Sequence, residues 1–79
     1  MNLYGNITSN VEINKLIEDE QEAIDGYNKA LEVFKSKYDE ETFGEIAKVI
    51  NHIIAEEHEH IEELIELQEN MSGKKDEEE

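Results

Sequence analysis

Apolar residues recur at steps of three and four along two long segments that meet at Tyr38-Asp39. The first stripe is Ile13, Leu16, Ile17, Ala23, Ile24, Tyr27, Leu31, Phe34 and Tyr38. The second is Phe43, Ile46, Ala47, Ile50, Ile53, Ile54, Ile61, Leu64, Ile65 and Leu67. Steps of this size are the period of an amphipathic α-helix, and strands alternate every second residue instead. No proline interrupts either run. Glu, Lys, Ile and Leu are abundant, as suits a largely helical chain. The expected fold class is all-α, with two helices of about 28 to 30 residues, each about 40 Å long at 1.5 Å per residue.

Local signals set the expected boundaries. Ser9 and Glu12 fit the Ser-x-x-Glu capping box, which predicts a helix from about residue 10 to 38. Lys35 and Lys37 suit its C-terminus. Asp39 can then cap a second helix over about 40–70, with Glu40 and Glu41 in its first turn. Gly44 is a candidate bend. So short a connection makes the helices antiparallel neighbours. Residues 1–71 read as one two-helix domain, and residues 72–79, which carry no apolar side chain, as a disordered acidic tail.

A chain of 79 residues builds only a small core. Two helices cannot bury stripes of this width between themselves. The expected remedy is self-association, as a dimer or higher even-numbered oligomer, with two hairpins forming a four-helix bundle. There is no cysteine, which removes disulfides, thiolate nucleophiles and Cys-ligated metal centres. The formal net charge of -15 opposes direct binding to nucleic-acid phosphates and attracts cations. No apolar run approaches a membrane span, and no basic segment followed by an apolar one opens the chain, so a cytoplasmic location is expected.

Two carboxylates stand where apolar residues belong. With Glu20 set at zero and 100° per residue, Ile13, Leu16, Ile17, Ile24, Tyr27, Leu31 and Phe34 lie within about 60° of it. Glu18, Asp19, Glu22 and Asp25 lie about 100° or more away. With Glu57 at zero, Ile46, Ile50, Ile53, Ile54, Ile61 and Leu64 fall within about 60°, and His60 sits at the edge of that arc. Glu56, Glu59, Glu62, Glu63, Glu66 and Glu69 fall outside it. His58 reads as a flank residue and His52 as solvent-facing. The midpoint between residues 20 and 57 lies between Tyr38 and Asp39, where the turn is expected on other grounds. Glu20 and Glu57 are then level across the hairpin, each about 27 Å from the turn, with His60 one helical turn beyond Glu57.

A buried carboxylate without a partner is costly, and no Lys or Arg occupies either stripe. Divalent cations are the natural compensation. Two chains would contribute four carboxylates and two imidazoles, which balances two divalent ions. This donor set suits iron or manganese, and zinc satisfies it by ligand type.

The segments Glu20-Gln21-Glu22-Ala23-Ile24-Asp25-Gly26-Tyr27 and Ala55-Glu56-Glu57-His58-Glu59-His60-Ile61-Glu62-Glu63-Leu64 resemble the ferritin-like superfamily. The likeness is nearest to its rubrerythrin-like and encapsulated-ferritin branches. Their pattern is a Glu followed seven residues later by a Tyr, then a Glu-x-x-His on the next helix. The resemblance implies a di-iron centre with Glu20 as a bridging or terminal ligand, Glu57 and His60 as paired ligands, and Tyr27 near the metals. It implies Fe(II) and oxygen or peroxide as reactants, and a ferroxidase-type oxidoreductase or iron-handling protein. The chain departs from that pattern in two ways. Glu20 and Glu57 are about two helical turns further apart than is usual there, and a single hairpin supplies only half a site. Two other functions compete: a non-enzymatic helical assembly module, and an acidic mimic of nucleic acid.

Overall fold

Tyr38 and Asp39 separate two helices. The computed structural model describes the backbone of residues 3–78 and the side chains of residues 10–71. Helix α1 spans Leu3–Lys37 and helix α2 spans Glu40–Glu78. They form an antiparallel hairpin, with no strand among the described residues. The Asp39 carboxylate accepts a 2.7 Å hydrogen bond from the Thr42 amide, and its carbonyl accepts the first helical bond from Phe43 at 2.8 Å. This is the expected N-cap, and it satisfies an amide that the first turn leaves without a helical partner. Glu40 and Glu41 follow in the first turn, where the helix dipole favours negative charge. Lys35 and Lys37 occupy the last turn of α1, the complementary end. Phe34 and Tyr38 pack edge-to-face beside the turn, ring centres 5.9 Å apart.

Both outer helix ends differ from expectation. Helix α1 starts at Leu3 and not near residue 10, so Ser9 and Glu12 lie inside it and their capping-box spacing marks no boundary. Helix α2 continues through Ser72 to Glu78, where a disordered tail was expected. Once a helix is nucleated, each added residue gains a hydrogen bond without a new nucleation cost, and neither extension contains a proline. Lys74, Lys75, Glu77 and Glu78 are themselves good helix formers. Gly44 sits within continuous helix and produces no break in α2.

The two helices meet along one edge of each stripe. Ile13 and Ile24 form the buried core, and no described side chain is more than 98% buried. Near the open end of the hairpin, Gln68 Nε2 donates to Asn14 Oδ1 at 2.7 Å and to the Asn10 carbonyl at 3.5 Å. These amides tie the helices together beside Ile13 of the core. The molecule measures 60 × 16 × 9 Å, with a radius of gyration of 18.0 Å. A compact chain of this length would have about 12 Å. Its accessible surface is 6222 Å², against about 4,900 Å² for a globular protein of this mass. The excess reflects a hairpin one layer thick, with Leu16, Tyr38, Val49 and Leu67 among its exposed apolar side chains. No described helix is long and apolar enough to cross a membrane.

Candidate metal centre

The level pairing of residues 20 and 57 follows from where Asp39 caps α2. With the turn held there, equal helical rise on both sides brings Glu20 of α1 opposite Glu57 and His60 of α2. The side chains meet across the seam. His60 Nδ1 lies 3.0 Å from Glu20 Oε2 and 3.5 Å from Glu57 Oε1. One ligand atom from each of the three residues lies within 4.8 Å of the others. Metal–ligand bonds of about 2.1 Å place neighbouring donor atoms about 3.0 to 3.4 Å apart. The two distances from His60 fall in or next to that range, so small side-chain rotations would gather the three donors around one ion.

The site is graded from buried to open. The Glu57 side chain is 16% exposed, Glu20 27% and His60 51%. Glu57 is the most sheltered, and its carboxyl is pushed above the ordinary value of 4.5. Burial is the main cause, followed by hydrogen bonding to Glu20 and the negative charge of Glu20. The His60 imidazole is pushed above 6.5, chiefly by its hydrogen bond to Glu20 and further by the charges of Glu20 and Glu57. A proton on His60 thus takes the place a cation would fill between the carboxylates.

These two shifts give the protein a defined pH response in the absence of metal. Both groups have folded values above their unfolded ones. Each therefore contributes stability that is complete below its unfolded pKa and lost as pH rises through its folded pKa. Asp39 has the opposite sign, because the Thr42 hydrogen bonds hold it below 3.8, and its contribution is lost only as pH falls through that lowered value. The melting temperature of metal-free protein is expected to fall as pH is raised from about 4.5 through the His60 range, and to fall less in Glu57→Gln. Thermal melts by circular dichroism at stepped pH check this. A parent and variant with the same slope would show that Glu57 is not the responsible group.

Of the other sequence-predicted positions, Tyr27 is half-buried on the same face, two turns along α1 from Glu20, or about 10.5 Å by helical rise. The structure thus places it beside the seam but apart from the three clustered side chains. His52 is exposed and pairs with Glu56 at 3.8 Å, and His58 is exposed. Glu63 was assigned to the solvent face. It lines an open groove beside the centre together with Leu16, Glu20, His60, Leu64 and Leu67. Its i, i+3 spacing from His60 was the signal that would have found it.

No family model, curated protein or solved structure matches this chain.

Proposed function

We propose that this chain carries half of a dinuclear carboxylate–histidine centre, completed by a second copy, that binds Fe(II) and oxidises it with oxygen or peroxide. The observation that carries the reading is the convergence of Glu20, Glu57 and His60 from two helices, in a seam that offers no Lys or Arg as a counter-ion. The donor set is oxygen-rich with one imidazole, which fits iron or manganese and admits zinc. Iron bound there would supply one-electron transfer to the oxidant, and carboxylate oxygens stabilise the ferric product.

The chain's own residues do the rest. Glu57 and Glu20 present carboxylate oxygens from opposite helices. His60, in its neutral form, would offer a ring nitrogen beside the two carboxylates. Leu16 and Leu64 border the donors with apolar surface. Glu63 at the groove and the acidic flank of α2 attract cations towards the opening. Three donors from one chain would leave room for the oxidant and for ligands from a second chain. The ferritin-like resemblance of the Glu–Tyr and Glu-x-x-His spacings supports the same reading.

Metal content tests it directly. Protein purified without a histidine tag and loaded anaerobically with Fe(II) is expected to retain about one iron per chain after desalting, with each dimer holding two. Parallel loadings with Mn(II) and Zn(II) rank the three metals. A folded dimer that retains none of them would overturn the proposal. That result would favour the assembly-module reading, which the exposed Leu16, Val49 and Leu67 support independently.

A further inference from the structure

Among the described residues, polar side chains cross the apolar seam at two levels, and on opposite flanks. With Glu20 at zero, Leu16 lies at about −40° and Ile24 at about +40°. Ile24 is buried and Leu16 is 50% exposed, so positive angles mark the closed flank and negative angles the open one. The same sense of rotation leads to the same flank on an antiparallel neighbour. With Glu57 at zero on α2, His60 lies at about −60°, on the open flank, and Gln68 at about +20°. Asn10 and Asn14 of α1 lie at about +80° and +120°, well round on the closed flank. Gln68 Nε2 donates to Asn14 Oδ1 at 2.7 Å and to the Asn10 carbonyl at 3.5 Å. On the other flank His60 Nδ1 lies 3.0 Å from Glu20 Oε2. The amides stand about 9 to 12 Å along the hairpin from the centre, so they act on it only through the helices.

We infer that Asn14 and Gln68 are a positioning pair, which sets the rotation of the two helices about their own axes and so holds Glu20 against His60. The consequence for metal binding rests on the metal reading, whereas the rotation does not. Gln68 stands near the middle of the α2 stripe, where the helical period calls for an apolar residue. Apolar contact is non-directional, and a stripe wider than its neighbour packs over a range of rotations. A hydrogen bond holds only over a narrow range of distance and angle. Turning α1 to cover Leu16 swings Asn14 outward from Gln68. The same turn carries Glu20 off the open flank and away from His60. Turning α1 the other way drives the Asn14 amide into the apolar seam, at the cost of its hydration. The Asp39 cap fixes relative height at the turn, and the amides fix rotation at the far end. A leucine at position 68 removes the restraint on the first turn, and covering Leu16 then gains apolar burial.

Spin labels and Mn(II) read the two consequences separately. The chain has no thiol of its own, so labels go on Asp19→Cys and Glu56→Cys, both exposed and on the open flank. Labelled chains diluted in unlabelled ones report the distance within one hairpin, without metal. Mn(II) affinity is measured on unlabelled protein from the resonance of the free ion. Gln68→Leu is expected to keep its circular dichroism and its melting temperature, because it sets an apolar side chain in an apolar stripe. It is expected to bind Mn(II) about 10-fold more weakly, as when an orienting group is lost, and to shorten the distance between the labels. A merely structural role would lower melting temperature and affinity together. Asn14→Ala, on an exposed position, is expected to act in the same direction, and the double variant to lose no more than Gln68→Leu alone. Parental affinity and parental label distance in Gln68→Leu overturn the inference, as do losses that add in the double variant. Loss of helicity in Gln68→Leu also overturns it, since the amide would then hold the fold and not its rotation. A parent that binds no Mn(II), with labels that still draw together in Gln68→Leu, supports the rotation and removes the metal reading.

Discussion

Glu57→Ala is expected to lose its bound metal and its Fe(II) oxidation while keeping the circular dichroism of a helical protein. In the proposed shared centre the substitution would remove one ligand from each of two chains. Losing even a group that only orients a ligand commonly weakens metal binding 10- to 100-fold, so loss of the ligands themselves should exceed about 100-fold. The fold should survive for the reason that makes Glu57 unusual. It is a sheltered carboxylate beside Glu20, raised in pKa by burial and by that neighbour's charge. Replacing it with a methyl group relieves both effects, so the metal-free variant should melt no lower than the metal-free parent. Glu59→Ala is the matched control, exposed and two residues away. Iron-oxidation absorbance read beside circular dichroism separates the outcomes. If Glu57→Ala oxidises iron at the parental rate, or if Glu59→Ala fails instead, Glu57 is not a ligand.

Metal should stabilise the protein strongly. Without it the seam holds carboxylates that repel one another, and the chain exposes apolar surface that one copy alone cannot cover. Binding favours whichever state forms the site, by an amount set by the ratio of free metal to its dissociation constant. At 100-fold excess over that constant, a domain of this size should gain about 10 to 20 °C in melting temperature. The ligands bind as carboxylates and neutral imidazole, so this protection should grow as pH rises, opposite to the trend of the metal-free protein. Anaerobic melts with and without Fe(II) or Mn(II) at two pH values measure both effects. An unchanged melting temperature at saturating metal would remove the centre as a binding site.

The sequence alone determined the parts of this molecule that depend on local chemistry and on period. The turn at Tyr38-Asp39 was legible because Asp39 is a capping residue between two helical stripes, and the Thr42 hydrogen bond shows it acting as one. The meeting of Glu20 with His60 was legible because phase and height are arithmetic once the turn is placed. The outer helix ends were not. The Ser9–Glu12 signal is short, and it yields to continued helix when no residue forces a stop. Only the tertiary structure decided which edge of each stripe is covered. Ile24 and Leu16 lie on the same stripe, yet Ile24 is buried and Leu16 is 50% exposed. The choice depends on how far each helix rotates about its own axis when the two pack. The stripe is wider than a single neighbour can cover, so its period fixes no such rotation. That rotation leaves His60 half open and Glu57 sheltered, and it leaves Leu16, Val49 and Leu67 exposed.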